Sequence, residues 1–565
     1  MKKYLFFVGF IMAIPLIGSP QSLAIKKELV ERIARMPSGP NFAIVSAKLR
    51  LGIDVDGAYK QIDTLLSCAY GDMFWMYGCA GLYYATQDIL RPQYKERIRW
   101  CWKHYTPYRG DTENHFLMYY GTLFLMSQAW PDLPYTEWFM GKSSKAIYKE
   151  SKEYLDRWID ETVRYGQTEW DSPRYGYYYI TPLVLLAEYT KDSRMKHRFE
   201  MMLEYMLADY AVEYLNGCYC GAHSRVSDEC AIDPRSAEMT SYGEYFFEDL
   251  VKHLQPDVAF VAMTNFECPD IIRNIAKDRS EPYEHYELKR GRTTLRYTDI
   301  RNVPVYKYDY MTQDYCLGSM QGGIVQPIQQ QSWSLVFNST KPHNIVTGLH
   351  PYVAADELGM FFPEYPGFML ERIGSTKAGY KDENKWVGGS PYEKIYQKKN
   401  ILVALYDLPD SVKYHRVDLF IPENLHPLGT SDTTPDNSYF YPGWAVFQYD
   451  STLVGIYMLS KYSKYKTPGG ERWMSPGNSS GYVIYCESLR EMTAKAFEDK
   501  INKLSVLRTK DHLLLQDQGH TISLDRSMHD DNVWLFKSKF LESKKGSGIL
   551  TMKQGSKKRV LDFRN

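Results

Sequence analysis

The sequence predicts an α+β multidomain protein, an N-terminal α/α toroid of helical hairpins followed by an antiparallel β-sandwich. Three observations predict it. Apolar residues recur with helical period from about residue 25 to 290. Beyond that point short β-branched and aromatic runs, often alternating, take over. No helices alternate with those runs, which argues against a parallel sheet. At 565 residues the chain is also too long for one ordinary core.

In the first half, "SSKAIYKESKEYLDRWIDETVRYG" places Ile147, Tyr148, Leu155, Trp158, Ile159 and Val163 close to one face, with Gly166 as a stop. "DSRMKHRFEMMLEYMLADY" has a cap at Asp192 or Ser193 and then Met195, Phe199, Met202, Leu203, Met206 and Tyr210. "DGAYKQIDTLLSCAY", "MFWMYGCAGLYYATQ", "ERIRWCWKHY" and "NHFLMYYGTLFLMSQ" read the same way, with turns rich in Gly, Pro, Asp and Asn between them. There is no fixed-length repeat. In the second half, "GRTTLRYTDI", "QQSWSLVFNS", "NILVALYDLP", "RVDLFIP", "WAVFQYDSTLVGIYML", "GYVIYCES" and "KLSVLRT" read as strands. The expected division is a signal peptide at 1–24, a toroid at 25–290 and a sandwich at 291–490. Residues 491–565 would form a small C-terminal β domain or extend the sandwich. Hairpins closed into a toroid leave a cleft at the mouth, lined by loops and first turns of inner helices, which is where chemistry is expected.

Lys plus Arg equals Asp plus Glu, at 68 each, so no overall field points to nucleic acid or membrane. Aromatics reach 15%, with 48 Tyr and 12 Trp. Helical cores take most such side chains; a cleft in which sugar rings stack on aromatic faces takes others. Lys2 and Lys3, a short apolar run and Ser22-Leu23-Ala24 form a secretory signal with expected cleavage after Ala24, so an exported protein, periplasmic or extracellular, is expected. No cysteine follows the apolar run, and no later stretch is long and apolar enough to cross a bilayer. Nine cysteines spread over this length are no disulfide scaffold. Cys218, Cys220 and Cys230 lack a spacing that supports zinc, as do His343, His350 and His415. No cofactor is implied, although a structural or catalytic divalent metal stays open. The sequence has no P-loop, dinucleotide fingerprint, H-E-x-x-H or G-x-S-x-G.

Three stretches carry candidate chemistry. In "DTENHFLMYY", Asp111, Thr112 and Glu113 suit a helix first turn. Asn114, His115 and Tyr119 are not explained that way, and His115 and Tyr119 share a helix face. In "TEWDSPRYGYYYITP", Thr181-Pro182 reads as a cap and first helical residue. The loop before it carries Trp170, Asp171, Arg174, Tyr175, Tyr177, Tyr178 and Tyr179 as a cleft wall. In "NGCYCGAHSRVSDE", His223 and Arg225 follow turn residues; an arginine fork suits a carboxylate or sulfate, and a histidine beside it stays neutral.

A signal peptide, toroid and sandwich with Asn, His, Tyr and Arg in the helical half resemble the toroid-plus-sandwich polysaccharide lyases. The heparinase II/III, alginate lyase and chondroitin AC lyase groups share that layout. The resemblance covers most of the chain as architecture. It implies β-elimination at a uronic acid of a polysaccharide, an anionic substrate. An Asn or its neighbour neutralises the carboxylate, His or Tyr removes the C5 proton, and a Tyr protonates the leaving oxygen with Arg nearby. Carried onto this sequence, the catalytic set is Asn114, His115, Tyr119, Tyr175, Tyr178 and His223. Glu113, Trp170, Asp171, Arg174, Tyr177 and Arg225 would bind substrate. Which of them is base and which acid stays open. A set of amide, imidazole, phenol and guanidinium supplies carboxylate neutralisation and a base without a metal. Two other readings remain. A glycoside hydrolase on the same toroid would use Glu113 and Asp171, and "EWDSPRY" is faintly similar to the Q-W-D-x-P stretch of trehalases. A non-catalytic glycan-binding protein would need the aromatic cleft alone.

Overall fold

The computed structural model describes residues 20–67, 70–110, 112–291, 304–322, 329–353, 378–428, 440, 442–508, 513–517, 520–524 and 533–564. Most of the expected signal segment and most of "GRTTLRYTDI" lie outside them. Helices fill the first half: α1 (Pro20–Ala34), α2 (Phe42–Leu51), α3 (Val55–Leu65), α4 (Met73–Thr86), α5 (Pro92–His104), α6 (Glu113–Ala129), α7 (Ser144–Tyr165), α8 (Tyr177–Tyr189), α9 (Ser193–Val212), α10 (Asp228–Ile232), α11 (Glu238–Gly243), α12 (Val258–Ala262) and α13 (Asp270–Lys277).

Local chemistry sets their ends. Asn41, Asp72, Ser143 and Asp192 cap α2, α4, α7 and α9 with side-chain oxygens, and Gly166 stops α7 at φ +93°. In α7 only one stripe is buried, including Ile147, Leu155, Trp158, Ile159 and Val163, so it is an outer helix. α6 is buried along almost its whole length, as an inner helix must be. Inner helices α2, α4, α6 and α8 pack in sequence, and the short α12 closes the ring by touching both α8 and α2. α3, α5, α7 and α9 back them from outside. The ring has two small departures from all-α. A parallel pair, Tyr70–Asp72 with Thr106–Tyr108, feeds the first turns of α4 and α6. A hairpin, Tyr214–Leu215 with Cys218–Tyr219, turns at Asn216-Gly217 with both residues at positive φ.

The second half is antiparallel sheet. The large sheet runs in the order Ser463–Thr467, Gly470–Pro476, Arg416–Pro422, Ile345–Leu349, Trp333–Phe337, Tyr315–Gly322, Pro304–Met311, Tyr283–Arg290, Trp534–Lys537, Leu541–Lys544, Ile549–Gln554 and Lys557–Asp562. The first sheet strand begins at Tyr283, just ahead of the change of texture in the sequence. Residues 534–562 add four strands to this sheet beside Tyr283–Arg290. A second sheet is built from Glu393–Lys398, Ile401–Asp407, Ser479–Ser488, Thr452–Met458, Gly443–Tyr449 and His426–Pro427. Between the two sheets lie Leu317, Leu335, Val346, Leu419, Leu402, Val454, Ile456 and Ile484. Alternation turns Cys316, Val336, Ile345 and Phe420 the other way, into the core shared with the toroid. A helix at Ala494–Ile501 and a three-stranded sheet at 505–524 cover the second sheet's outer face.

One local expectation is corrected. Thr181-Pro182 does not open α8, which starts at Tyr177 with Pro182 inside it. Tight bonds from Tyr178 and Tyr179 N–H to the carbonyls of Tyr175 and Gly176 start the helix early. The Thr181 hydroxyl, instead of capping, meets the Tyr242 hydroxyl at 2.6 Å. Tyr177, Tyr178 and Tyr179 therefore sit in a first turn rather than a loop.

Candidate active site at the toroid mouth

The first turns of α4, α6 and α8 meet the loop at 221–226, and their side chains close a ring of contacts. His115 sets its ring edge-on against Phe74 at 5.3 Å. Phe74 meets Tyr178 at 4.9 Å, and Tyr178 stacks toward Tyr175 at 6.3 Å. The Arg225 guanidinium lies over the Tyr175 ring at 4.4 Å and pairs with Glu169 at 2.7 Å. Glu169 then accepts the backbone N–H of Asn114 at 3.0 Å, next to His115. The ring thus joins Asn114, His115, Tyr175, Tyr178 and Arg225, which are far apart in sequence. Arg174 stands at its rim, 3.8 Å from Glu238, and Tyr177 stacks on Tyr178 at 3.9 Å.

The Asn114 side chain is wholly buried here. Its oxygen accepts from Thr112, the cap of α6, at 3.1 Å, while its amide nitrogen has no hydrogen-bond partner among the described residues. A buried N–H₂ without an acceptor is costly unless something else fills that role. Gly110 packs against His115 at φ +82°, and a Cβ there would lie 2.4 Å from the His115 Nδ1. Asp111 lies outside the described residues. Burial raises the Tyr177 and Tyr178 phenols, so both stay protonated donors at neutral pH.

The remaining candidates sit behind the mouth or away from it. Tyr119 turns toward the outer layer, packed on Phe139 with its hydroxyl 3.9 Å from the Met140 sulfur; burial pushes it up to about 12. Glu113 is buried, with one oxygen on Trp158 Nε1 and the other on Thr168, the Glu169 N–H and Tyr179. Asp171, at φ +46°, accepts from Tyr219 and Lys289 with Oδ1 and from Lys307 with Oδ2. All four oxygens on which a two-carboxylate hydrolysis would depend are thus engaged inside the protein. Trp170 is fully buried in a small cluster with Ala222, Val305 and Met320. His223 faces two backbone carbonyls, Asp171 O at 2.7 Å and Tyr219 O at 3.1 Å. Burial, with Lys307 nearby, brings it down to about 4, so the ring is neutral and its one N–H belongs with the shorter contact.

Asp171 belongs to a buried ionic cluster between toroid and sheet. His285, Glu287 and Lys289 share one face of their strand and Lys307 and Asp309 the facing positions of the next, all toward the toroid. Asp209 and Glu213 reach them from the end of α9. Burial raises the carboxyls of Asp209, Glu213 and Asp309 well above the usual range, whereas the two lysines and His285 hold Glu287 well below it. Among the described residues, Glu213/His285/Glu287 and Asp171/Asp209/Glu287 each bring one ligand atom per residue within 4.8 Å of the others. The Lys307 and Lys289 ammoniums already bridge these carboxylates and supply the positive charge there. The eight described cysteines are free and buried. His343, His350 and His415 each bond separate partners: Ile232 O, Ser390 with Tyr414 O, and Asn478.

Sequence reasoning missed Glu169, Phe74, Gly110 and Asp257. Glu169 stands inside a stretch already singled out, but nothing in the spacing sets it apart from Asp171. Asp257 precedes α12 close to Tyr77, Tyr177, Tyr178 and Tyr242, and burial raises its carboxyl to about 6. Only ring closure brings it to the mouth.

No protein-family model and no curated protein matches the sequence. Among solved structures the chain is similar to heparan sulfate lyase HepC from Pedobacter heparinus. The identity is 10% over 89% of this chain and 79% of that one, with a TM-score of 0.35. A likeness at that level says nothing of the reaction.

Proposed function

We propose that this protein is an exported polysaccharide lyase that cleaves an acidic, uronate-containing polysaccharide by β-elimination. One observation carries the reading: His115, Tyr175, Tyr178 and Arg225 meet in one ring of contacts at the mouth, with Asn114 behind them. Elimination needs donors on the uronate carboxylate, because removing the C5 proton spreads a second negative charge into it. Arg225 fills that role, with Asn114 buried behind it in the first turn of α6. His115 or Tyr175 takes the C5 proton; the C4–O bond then breaks, C4 and C5 become doubly bonded, and the leaving oxygen receives a proton from Tyr178.

The test is a screen on alginate, glucuronan, ulvan, heparan, chondroitin and pectic polymers, with ultraviolet absorbance and reducing ends read together. Elimination makes an absorbing unsaturated uronate at each new non-reducing end and an ordinary reducing end on the other fragment. Arg225→Ala should cost about a hundredfold in kcat, the scale for losing one charge-stabilising donor. Reducing ends without absorbance would sink the lyase and favour hydrolysis; neither signal would leave a glycan-binding protein.

A further inference from the structure

A second cavity, of about 490 Å³, opens at the edge of the large sheet, lined by Ile232, Asn384, Trp386, Tyr465, Arg472 and Met474 among others. Its floor is a set of side chains on one sheet face. Tyr465 lies directly opposite Arg472 across one strand pair, and Arg472 opposite Phe420 across the next. Trp386 covers Arg472, whose guanidinium lies 3.6 Å from the indole centre, and meets Phe420 edge-on at 5.4 Å. Arg472 is fixed by Asp418 and by the Asn384 carbonyl at 2.6 Å. Tyr465, 39% exposed, leaves its ring open to the cavity.

This cavity is joined to the mouth by continuous structure. Arg225 bonds the Gln329 side chain at 2.7 Å, and Val226 N–H bonds the Gln329 carbonyl. The Gly388 N–H bonds the Gln330 carbonyl, so the segment carrying Trp386 runs alongside. From the other side, the loop after Arg225 leads into α10, which ends at Ile232 in the cavity wall. The mouth and the edge cavity are therefore both tied to the segment at Gln329 and Gln330.

We propose, resting on the polysaccharide reading above, that this edge cavity is a distal subsite that holds a further pyranose unit of the same chain. A ring face packs the C–H groups of a sugar, amide and guanidinium groups bond its hydroxyls, and the volume falls in the range of small-ligand clefts. Its binding energy acts on long substrates only.

The test is affinity electrophoresis through gels holding heparan sulfate, chondroitin sulfate, alginate, polygalacturonate or glucuronan, one polymer per gel. Tyr465→Ala should weaken retardation about five- to tenfold, the scale of losing one aromatic contact. Tyr135→Ala, at an exposed tyrosine of the toroid, should leave it unchanged. A Tyr465→Ala variant retarded like the parent, or a parent retarded by none of the polymers, overturns the subsite. Retardation that depends on Tyr465 with no ultraviolet product keeps the subsite and sinks the lyase. Ultraviolet product with Tyr465→Ala behaving as the parent does the reverse.

Discussion

Lys307 is the centre of the contact between toroid and sheet, and Lys307→Met tests how much that contact is worth. The ammonium lies 2.7 Å from Asp171, 2.5 Å from Glu213 and 3.1 Å from Glu287, and all four side chains are almost wholly buried. At an effective dielectric near 20, each contact is worth roughly 5–7 kcal/mol of gross attraction. Most of that offsets the cost of taking the charges out of water, so the pairs add little net stability as a set. Removing one partner is different, because it leaves the carboxylates buried and uncompensated, at a cost of about 3–5 kcal/mol. Methionine keeps the stem's volume, so cavity formation adds little. Lys289 still holds Asp171, Asp209 and Glu287, which keeps the loss at this scale. The deficit should depend on pH. Without the ammonium, Glu213, whose carboxyl burial already raises, has a folded pKa still further above its unfolded one. A raised carboxyl contributes its stability below the unfolded pKa and loses it as pH climbs through the folded one. Denaturant unfolding of parent and variant, compared at pH 5 and pH 8, should therefore show an earlier first transition for the variant, with the larger gap at pH 8. Equal midpoints at pH 8, or a larger gap at pH 5, would refute the argument.

Gly110→Ala should lower kcat by about tenfold or more while the protein stays folded, since the new methyl displaces the His115 ring and small misplacements are expensive; an unchanged kcat would show that His115 does not act from its observed position. His223 sets a slope in the acid range. Its folded pKa of about 4 lies below the 6.5 of a free histidine, so the stability it contributes is complete above about 6.5 and is lost as pH falls toward 4. Thermal midpoints measured across that window should fall less steeply for His223→Gln than for the parent, and parallel curves would show that His223 does not titrate this way.

The fold was legible because its signals are local. The stripe in α7, the Asp192 cap and the stop at Gly166 stand in the sequence as they stand in the structure. So did the alternation that divides the strands between two cores. The site was legible only in part. Asn114, His115, Tyr175, Tyr178 and Arg225 are polar groups at helix starts and in one loop, and the ring gathers them. Tyr119 and His223 have the same residue chemistry, but what decides their place is which neighbour they face, and no spacing encodes that. The strand "YEHYELKR" shows the limit most clearly. Its alternate His285, Glu287 and Lys289 are all polar or charged, yet they point into the toroid interface and pair there. A polar face can be buried when the opposing element brings matching charge, and the match, from Asp171, Asp209 and Glu213, comes from residues about 75 to 120 positions away.

The sheet is thus part of the site rather than a support for it. Arg225 reaches the mouth at φ +56°, an unfavourable conformation for a side chain of its size. It is held there by paired bonds between His223 and Gln331, by the bond from Val226 to Gln329, and by the Gln329 side chain on its guanidinium. The loop can lie so close only because Gly221 and Gly318 carry no Cβ; one at either position would meet the Asp309 carboxyl at 2.5 Å or 1.8 Å. Asp309 in turn belongs to the ion cluster whose lysines clamp Asp171, five residues before Gly176 opens onto α8 and its tyrosines. The same charges that dock the halves therefore fix both the tyrosine turn and the arginine loop. Toroid and sheet must be assembled together before Arg225 and Tyr175 can meet at the mouth.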